Sequence, residues 1–359
     1  MPATESLALL DETGGRKLVF CRDEQAGLRA LIAVNSMVAG HAGGGVRMRR
    51  YPSEESAVRD ALRLAQAMAL KYAAAGMRLG GAKSVIIGDP ATDKTEGLLR
   101  AFGRFVEELG GEYSAAEDVG TSDRDMLVIG ETTQWLLSLP EEAGGPHDGA
   151  ASTAAGVLHA IRACCQHQWG EPSVADRTVA VQGLGQVGMK LARMLAHQGA
   201  QVTVADIDPE RVRVAVAELG VSHVPPEQIC ALAVDVLAPC ALGDAIHAGN
   251  VEAIRAQVVA GSANNVFSSA DVADRLQRLG CIYAVDFVAN AGGLIYDDQM
   301  VQRPRPRQFD TQRASAYLDG VFDRTLEVFE LAAARDIPFW RAAEQMAERN
   351  LAAFSPKRA

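Results

Sequence analysis

A chain of 359 residues is longer than one hydrophobic core usually serves, so the length predicts two domains. Hydrophobic residues make up 48% of the chain and charged residues 22%, which is typical of globular proteins and excludes long disordered stretches. The formal net charge of -10, with no long basic run, argues against binding to nucleic acid or to an anionic membrane.

The N-terminus and the cysteines bear on the cellular compartment. The N-terminal stretch lacks the basic region followed by an apolar core that marks a secretory signal. No segment offers the run of about 18 uninterrupted apolar residues that a membrane span needs. The six cysteines show neither a CxxC motif nor a metal-type spacing with histidine, which predicts buried free thiols. We therefore expect a cytoplasmic protein without a bound metal.

The first 145 residues are predicted to form a mixed α/β domain. Apolar runs between turn-forming residues predict its strands, and apolar residues at helical spacing predict its helices. Ser53 is the expected N-cap of the first helix, and Gly110-Gly111 is the expected end of the second. The predicted elements are strands 17–21 and 28–34, a helix 53–70, a strand 84–87 and a helix 96–109.

A segment rich in Gly, Pro and charge, Pro140–Gly149, is the predicted domain boundary. Beyond it, strand-like and helix-like segments alternate, as they do in a parallel, doubly wound sheet. The predicted domains are 1–145 and 150–334, and a C-terminal helix over about 335–359 is expected to pack back on the first domain. The elements predicted beyond the boundary are strands 178–182, 201–205, 234–237, 258–260 and 281–285, helices 187–197 and 209–219, and a mostly helical stretch from 311.

The clearest local motif is a glycine-rich turn in VAVQGLGQVGMKLARMLAHQGAQVTVAD, residues 179–206. Gly183 allows a tight turn, Gly185 lets backbone NH groups approach a pyrophosphate, and Gly188 lets the helix pack closely on the strand. Asp206, 18 residues after Gly188, ends the second strand and is placed to accept hydrogen bonds from ribose hydroxyls. A glycine cluster alone often marks only a turn, but the strands, helix and acid at this spacing predict a dinucleotide site. Since the acid repels a 2′-phosphate, NAD is favoured over NADP.

Two lysines lie 12 residues apart in the stretch LKYAAAGMRLGGAKSVIIGDP. Lys71 ends the predicted helix, where its charge suits the helix dipole, and Lys83 opens the predicted strand. Most lysines are simply solvated. These two lie in surroundings rich in alanine and glycine, where an ammonium group is costly unless it meets an anion. The pattern therefore points to a pocket for an anionic ligand.

Seven segments resemble the leucine, phenylalanine and valine dehydrogenases of the wider glutamate dehydrogenase superfamily. They occur in family order and spacing and extend over nearly the whole chain. The segments are GGGVRM (43–48), ALRLAQAMALKYAAAGMRLGGAKSVIIGDP (61–90), AEDVGTSDRDM (116–126), VAVQGLGQVG (179–188), APCALG (238–243), VVAGSANN (258–265) and DFVANAGG (286–293).

The resemblance implies an α/β enzyme of two domains that oxidises an L-amino acid reversibly to the 2-oxo acid and ammonia. The N-terminal mixed α/β domain is expected to bind substrate and to mediate homo-oligomerisation. The second, a doubly wound Rossmann domain, is expected to bind NAD, with the active site in the cleft between the two. An imino- or keto-acid reductase and a non-catalytic NAD-binding protein are the alternatives. Since Lys71, Lys83 and Asp118 are all present, the enzyme is favoured over the non-catalytic protein.

The resemblance also assigns residue roles. Lys83 resembles the catalytic base, and Asp118 its proton-relay partner; on residue type alone Asp118 would be a helix N-cap or a turn aspartate. Lys71 resembles the residue that holds the substrate carboxylate, helped by the backbone of Gly44 and Gly45. The implied substrate-binding residues are Gly43, Gly44, Gly45, Met68, Lys71, Ala116, Asn265, Leu294 and Asp297.

The implied cofactor-binding residues lie in the second domain. Thr153 and Asn290 resemble groups that orient the nicotinamide and the substrate, as does Asn265, whose role the neighbouring Asn264 could take instead. The full implied set is Thr153, Gly183, Leu184, Gly185, Gln186, Val187, Gly188, Asp206, Ile207, Ala238, Pro239, Cys240, Ala263, Asn264 and Asn290.

The chemistry of deamination fits these assignments. Removal of hydride from Cα leaves an iminium, which water must attack to give a carbinolamine. A neutral lysine deprotonates that water, and burial together with a second ammonium group lowers the pKa of Lys83 towards a useful range. Asp118 then passes the proton to and from the departing amine.

Two positions bear on the substrate side chain. Leucine-type enzymes have leucine at the position of Gly43, so extra room is expected in the substrate pocket there. The segment DFVANAGG is closer to the sequence of phenylalanine-type enzymes than to that of leucine-type enzymes. The substrate is therefore predicted to be aromatic or bulky and apolar, with branched-chain amino acids as the alternative. Asp297 replaces an apolar family residue. It either meets a donor or cation on the substrate, such as an indole NH, amine or guanidinium, or points to solvent or pairs with an arginine of RPRPR, residues 303–307.

Overall fold

The computed structural model divides into two compact units. It describes residues 3–145, 148–241, 243–306 and 308–354. The first unit comprises Met1–His147, Tyr296–Asp310 and Ala347–Ala359, and the second comprises Asp148–Ile295 and Thr311–Met346.

The first unit is built on a five-stranded mixed sheet. Its elements are α1 (Ala3–Glu12), β1 (Lys17–Asp23), β2 (Leu28–Val34), β3 (Ala42–Arg49), α2 (Glu54–Ala74), β4 (Gly80–Ile87), α3 (Glu96–Glu108), β5 (Ser114–Glu117) and α4 (Asp123–Gly130). The strand order is β1-β2-β4-β3-β5. β2 pairs antiparallel with β1 and β4, whereas β3 pairs parallel with β4 and β5.

Both faces of this sheet are covered by helices, because alternate residues of the central strands join different hydrophobic clusters. Ile32 belongs to a cluster that includes Phe102 of α3, whereas its neighbour Leu31 belongs to a cluster that includes Leu62 of α2. Strands that are buried on both faces are expected to be continuously apolar rather than alternating. This explains why β2 reads LRALIAV.

Helix α2 lies directly against β4. A Cβ atom at Gly81 would lie 2.0 Å from the backbone nitrogen of Ala69, so only glycine allows this approach. The helix begins with a capping box between Ser53 and Ser56, and Lys71 lies in its last turn. β4 starts at Gly80 rather than at residue 84, so Lys83 lies inside a strand and not at its start.

The second unit contains a six-stranded parallel sheet in the doubly wound arrangement. Its elements are α5 (Gly149–Trp169), β6 (Thr178–Gln182), α6 (Gln186–His197), β7 (Gln201–Ala205), α7 (Pro209–Leu219), β8 (Ser222–His223), β9 (Val236–Pro239), β10 (Val258–Val259), α8 (Ala270–Arg278), β11 (Ile282–Tyr283) and α9 (Asp286–Ala289). The strand order is β11-β10-β9-β6-β7-β8. The order reverses between β6 and β9, which is where such sheets bind their ligands.

The C-terminal part of the chain differs from the predicted domain limits. The segment Tyr296–Asp310, with the short helix α10 (Asp297–Met300), belongs to the first unit, although the predicted second domain included it. It is held there by side-chain contacts such as the hydrogen bond from Tyr72 to Asp297. α11 (Thr311–Arg335) belongs to the second unit, and α12 (Phe339–Phe354) spans the division. The early part of α12 packs on the second unit through Trp340, whose indole NH donates to Asp274.

Candidate active site

Consecutive glycines at the start of β3 make room for two charged side chains. A Cβ atom at Gly44 would lie 1.8 Å from the carbonyl oxygen of Ala82, so β3 and β4 approach closely only because this residue is glycine. A Cβ atom at Gly45 would lie 2.9 Å from Nζ of Lys83 and 2.8 Å from Cβ of Asp118. The side-chain space above Gly45 is thus occupied by a lysine and an aspartate instead.

Lys83 and Asp118 form a buried ion pair, with 3.0 Å between Nζ and Oδ2. Lys83 is only 5% exposed. Burial lowers the pKa of the Lys83 ammonium below its ordinary value, although the Asp118 carboxylate opposes that shift. A lysine in this environment loses its proton more readily than a solvated one, as a general base must.

Asp118 is held by a second cation that the sequence did not reveal. Arg47 donates from Nε to its Oδ2 at 2.7 Å and also contacts Asp60 on α2 at 3.3 Å. Tyr51 donates a hydrogen bond to the same Asp60 carboxylate at 2.8 Å. Burial alone would raise the pKa of Asp118, but Lys83 and Arg47 outweigh it and hold that pKa below the ordinary value. Asp118 is therefore a carboxylate at neutral pH.

Asp118 is not a helix N-cap. The N-cap of α4 is Ser122, which closes a capping box with Asp125. Asp118 instead precedes a turn in which its backbone NH donates to the hydroxyl of Thr121, and that hydroxyl donates to the carbonyl of Val46. Its side chain is left to face Lys83 and Arg47.

The backbone of Gly44 is fixed by a buried hydroxyl pair. Tyr113 donates to the Gly44 carbonyl at 2.9 Å, and its oxygen lies 2.8 Å from the Ser84 hydroxyl. Tyr113 and Ser84 are both fully buried. The glycine that is implied in substrate binding is thereby held in one orientation.

The other implied substrate residues of the first unit lie on elements next to these glycines. Lys71 and Met68 are three residues apart on α2, on one face of the helix, and both are half-buried. Ala116 lies on β5 opposite Gly45 and is half-buried. These residues, which are far apart along the chain, lie on the adjoining strands β3 and β5 and on α2.

The glycine-rich turn follows β6 at the point where the strand order reverses. Gly183 has a φ of 92°, in the left-handed region that favours glycine. A Cβ atom at Gly188 would lie 1.9 Å from the carbonyl oxygen of Gly183, so α6 approaches the strand only because that residue is glycine. A Cβ atom at Gly185 would meet open space. A helix N-terminus with open space in front of it suits a pyrophosphate, as a dinucleotide requires.

Asp206 lies directly after β7, beside this turn. Its carboxylate accepts hydrogen bonds from the backbone NH of Leu184 at 2.5 Å and of Asp208 at 2.8 Å. A carboxylate has about four acceptor positions, so these two bonds orient the group and leave acceptor capacity for a ribose. Ile207, the next residue, is 91% exposed.

The asparagines near the end of the sheet have different partners. Asn290 donates from Nδ2 to the side-chain oxygen of Asn264 at 2.8 Å and to the carbonyl of Ser262 at 3.2 Å. Asn265 has a positive φ of 52°, and its backbone NH donates to Asp286 at 2.6 Å. Asn264 is therefore tied to Asn290, whereas Asp286, which sequence reasoning missed, anchors Asn265.

The remaining implied residues also lie in the second unit. Thr153, in the first turn of α5, donates its hydroxyl to the Gly149 carbonyl at 2.7 Å. Cys240 follows β9 and donates its NH to the carbonyl of Gln182 at 2.7 Å. Of the others, Leu184, Ala238, Pro239 and Ala263 are buried, Val187 and Leu294 are half-buried, and Gln186 is exposed.

Within residues 3–145, 148–241, 243–306 and 308–354, no cluster of three or more His, Cys, Asp or Glu side chains is arranged to hold a metal ion. Over the same ranges, no helix combines the length and the apolar character that crossing a membrane requires.

Two family models cover this architecture. The dimerisation domain of the Glu/Leu/Phe/Val dehydrogenases matches residues 16–135. The Glutamate/Leucine/Phenylalanine/Valine dehydrogenase domain matches residues 144–210 and 204–354. The chain belongs to the glutamate/leucine/phenylalanine/valine dehydrogenase family. It is therefore an amino acid dehydrogenase, an oxidoreductase with the predicted two-domain α/β fold, and members of this family depend on NAD or NADP.

Several members of the family are similar over nearly the whole chain. The leucine dehydrogenase of Thermoactinomyces intermedius is 41% identical over 336 residues, which cover 93% of this chain and 90% of that protein. The valine dehydrogenase of Streptomyces coelicolor is 41% identical over 352 residues, covering 97% of this chain and 95% of that protein. The crystal structure of L-tryptophan dehydrogenase from Nostoc punctiforme superposes with a TM-score of 0.85 at 32% identity, covering 97% of this chain and 99% of that one.

The expectation of extra room at Gly43 of this dehydrogenase is wrong. A Cβ atom at Gly43 would lie 2.6 Å from the hydroxyl oxygen of Tyr72 and 2.7 Å from Cδ1 of Leu137. The space that a larger residue would occupy is filled by these two side chains. The sequence could not show this, because Tyr72 and Leu137 reach Gly43 from distant parts of the chain.

Asp297 of the dehydrogenase does not point to solvent, which corrects one of the two alternatives for this residue. Its residue exposure is 8%, and its Oδ2 accepts a hydrogen bond from Tyr72 at 2.7 Å. Arg303 and Arg305 do not pair with it but donate to the backbone carbonyl of Gln134. Both arginines are half-buried, and Arg307 lies outside the described residues.

Proposed function

We propose that this enzyme catalyses the reversible, NAD-dependent oxidative deamination of an L-amino acid with a bulky, aromatic side chain. The products are the 2-oxo acid and ammonia. The observation that carries the proposal is the buried Lys83–Asp118 pair, in which burial lowers the pKa of the lysine. A buried lysine with a carboxylate 3.0 Å from its Nζ is suited to hold and return a proton.

The proposed substrate orientation follows from the residues around that pair. The Lys71 ammonium binds the α-carboxylate, with the backbone of Gly44 and Gly45 beside it. A bound nicotinamide cofactor would supply the acceptor for the hydride that leaves Cα of the neutral amine, which makes the substrate an iminium. Lys83 takes a proton from the water that attacks this iminium, so a carbinolamine forms. Asp118 relays that proton from Lys83 to the amino nitrogen, and Lys83 takes the hydroxyl proton as the C–N bond breaks, so the 2-oxo acid forms and ammonia leaves.

The use of NAD is supported by Asp206. Its carboxylate lies beside the glycine-rich turn, where it accepts from Leu184 and Asp208. A carboxylate accepts hydrogen bonds from the ribose 2′-hydroxyl of NAD and repels the 2′-phosphate of NADP. Thr153, Asn264 and Asn290 are proposed to orient the nicotinamide.

The aromatic side chain is supported by the similarity to the L-tryptophan dehydrogenase from Nostoc punctiforme. A branched-chain amino acid is the second candidate, since the leucine and valine dehydrogenases are 41% identical to this chain. We also propose a cytoplasmic homo-oligomer. The family match to a dimerisation domain over residues 16–135 supports assembly.

The experiment is a substrate panel. The purified enzyme is mixed with NAD or NADP and each of the twenty common amino acids at alkaline pH, and formation of the reduced cofactor is followed by its fluorescence. The reverse reaction is measured with the matching 2-oxo acids and ammonia. The proposal expects the highest kcat/KM for an aromatic amino acid with NAD. Branched-chain preference would support the second candidate, and no oxidation of any amino acid would overturn both.

A further inference from the structure

A buried tyrosine–aspartate pair lies in the first unit. Tyr72, on the last turns of α2, is fully buried, and its hydroxyl donates to Oδ2 of Asp297 on α10 at 2.7 Å. Tyr72 supplies one hydrogen bond to this carboxyl group. Whether protonated or ionised, a carboxyl group accepts more than one hydrogen bond, so the tyrosine satisfies only part of its capacity.

The position of this pair relative to Lys83 follows from the pleat of β3. Successive residues of a strand point to opposite faces, so side chains at Gly43 and Gly45 would point to the same face. The Tyr72 hydroxyl lies 2.6 Å from where a Cβ at Gly43 would be, and the Lys83 ammonium lies 2.9 Å from where a Cβ at Gly45 would be. The two groups therefore share one face of β3, separated by two residues, or about 7 Å along the strand.

A long amino acid side chain can span about the same distance as the one that separates the Lys83 ammonium from the Tyr72 hydroxyl along β3. With Cα held near Lys83, an aromatic or long aliphatic side chain extends about two strand residues along the same face. Its far end would then lie beside the Tyr72–Asp297 pair. Lys71, the proposed partner of the substrate carboxylate, also acts electrostatically on Asp297, which places both near one site.

The charges around Asp297 disfavour leaving it without a ligand. Burial raises its pKa to about 8, and the acids Glu117 and Asp298 add to that shift, whereas Tyr72 and Lys71 oppose it. A buried carboxyl group with this excess of acid around it is stabilised by a hydrogen-bond donor or a cation. An apolar ligand would supply neither.

We propose that the Tyr72–Asp297 pair determines substrate specificity by selecting an amino acid whose side chain ends in a hydrogen-bond donor. The donor is an indole NH in the neutral case and an ammonium or guanidinium group in the cationic case. Gly43 contributes to this specificity, because any side chain at that position would displace the Tyr72 hydroxyl. This inference rests on the oxidative deamination of the proposed function and replaces its aromatic side chain with the wider class of side chains that end in a hydrogen-bond donor.

The test compares substrates that differ only in the donor. Tryptophan is paired with 3-(benzothiophen-3-yl)alanine, in which sulfur replaces the indole NH, and lysine is paired with norleucine. The assay is run at alkaline pH, above the pKa of about 8 of Asp297, so that this carboxyl group is ionised. The expected wild-type kcat/KM ratio, donor over analogue, is roughly 10- to 100-fold for one of the two pairs, the value of one hydrogen bond to a charged acceptor. The pair that shows the ratio distinguishes the neutral from the cationic donor.

Variants at Asp297 and Tyr72 test whether these two residues produce that kcat/KM ratio. Asp297→Val, which introduces an apolar residue, is expected to bring the ratio close to one and to raise kcat/KM for leucine and phenylalanine. Tyr72→Phe keeps the ring, is expected to lower the ratio several-fold, and serves if Asp297→Val does not fold. Asp125→Asn is the matched control: Asp125 is a buried acid of the same unit that pairs with Lys94 and is not among the groups that act on Asp297, so the ratio should not change.

Three results would contradict the inference or the proposed function on which it rests. Wild-type preference for a purely hydrocarbon side chain, with the same ranking in Asp297→Val or Tyr72→Phe, would overturn the inference and leave the proposed function standing. A ratio that falls equally in Asp125→Asn would show a general structural effect and would also overturn the inference. If no amino acid is oxidised by the wild type, the proposed function itself fails.

Discussion

The ion pair between Lys83 and Asp118 makes a quantitative prediction for Asp118→Asn. Two unit charges 3.0 Å apart interact by about 5 kcal/mol at an effective dielectric constant of 20, or about 4 pKa units. The Asp118 side chain is 21% exposed, so we expect solvent screening to reduce this interaction energy to about half in the wild type. Removing the carboxylate charge should therefore lower the pKa of Lys83 by about 2 units.

The assay is the pH dependence of kcat/KM for oxidative deamination. Because the proposed mechanism requires neutral Lys83, kcat/KM should rise with pH and level off above the pKa of that lysine. In Asp118→Asn the rising limb should move about 2 units towards lower pH. The plateau should fall by roughly 100-fold or more, because the proton-relay group is lost.

Glu117→Gln is the matched control for this prediction. Glu117 is the adjacent acid but is exposed and is not among the groups that act on Lys83. Its pH profile should coincide with that of the wild type. If the rising limb of the Asp118→Asn pH profile stays in place or moves to higher pH, Asp118 does not stabilise the Lys83 cation and the predicted pKa shift is wrong.

Three further variants test separate parts of the site. Lys71→Ala should raise KM for the amino acid about 100-fold, with a smaller change in kcat, because the carboxylate loses a charged partner; an unchanged KM would argue against that role. Asp206→Ser should lower the NAD/NADP ratio of kcat/KM at least tenfold, and a wild type that already prefers NADP would show the interpretation of Asp206 to be wrong. Gly43→Ala should lower the free energy of unfolding by about 1–3 kcal/mol in urea denaturation, because its methyl group collides with the Tyr72 hydroxyl. Gly149→Ala, where a Cβ meets open space, is the control and should show no such loss.

The sequence predicted the parts of the fold whose signals are local. The glycine-rich turn, the strand before it and the helix after it were read correctly, because one short segment contains every residue that the turn needs. Strands β3 and β5 were not predicted. β3 reads AGGGVRMR, and its glycines lack the β-branched signature of a strand because they make room for Lys83, Asp118 and Tyr72.

The parts that the sequence did not predict depend on contacts between distant residues. Arg47 lies inside a recognised motif, but nothing in the sequence links it to Asp60 or shows that both support Asp118. Asp297 was identified as a departure from the family pattern. Its partner Tyr72 lies 225 residues away and could be found only once the return of the chain to the first unit was known.

The central claim is that Lys83 is the base of an amino acid dehydrogenase, and Lys83→Ala tests it most directly. The variant is assayed for NADH formation from the best substrate across pH 6–11, and its affinity for NAD is measured separately by fluorescence titration. Lys17→Ala is the control, since Lys17 also lies on a strand of this sheet but pairs with Glu112 nearer the surface. Lys83→Ala should lose turnover by roughly 1,000-fold or more at every pH, while NAD affinity should stay within about threefold of the wild type because the proposed cofactor site lies in the second unit. Retention of more than a few per cent of wild-type turnover at any pH would contradict the assignment of Lys83 as the base.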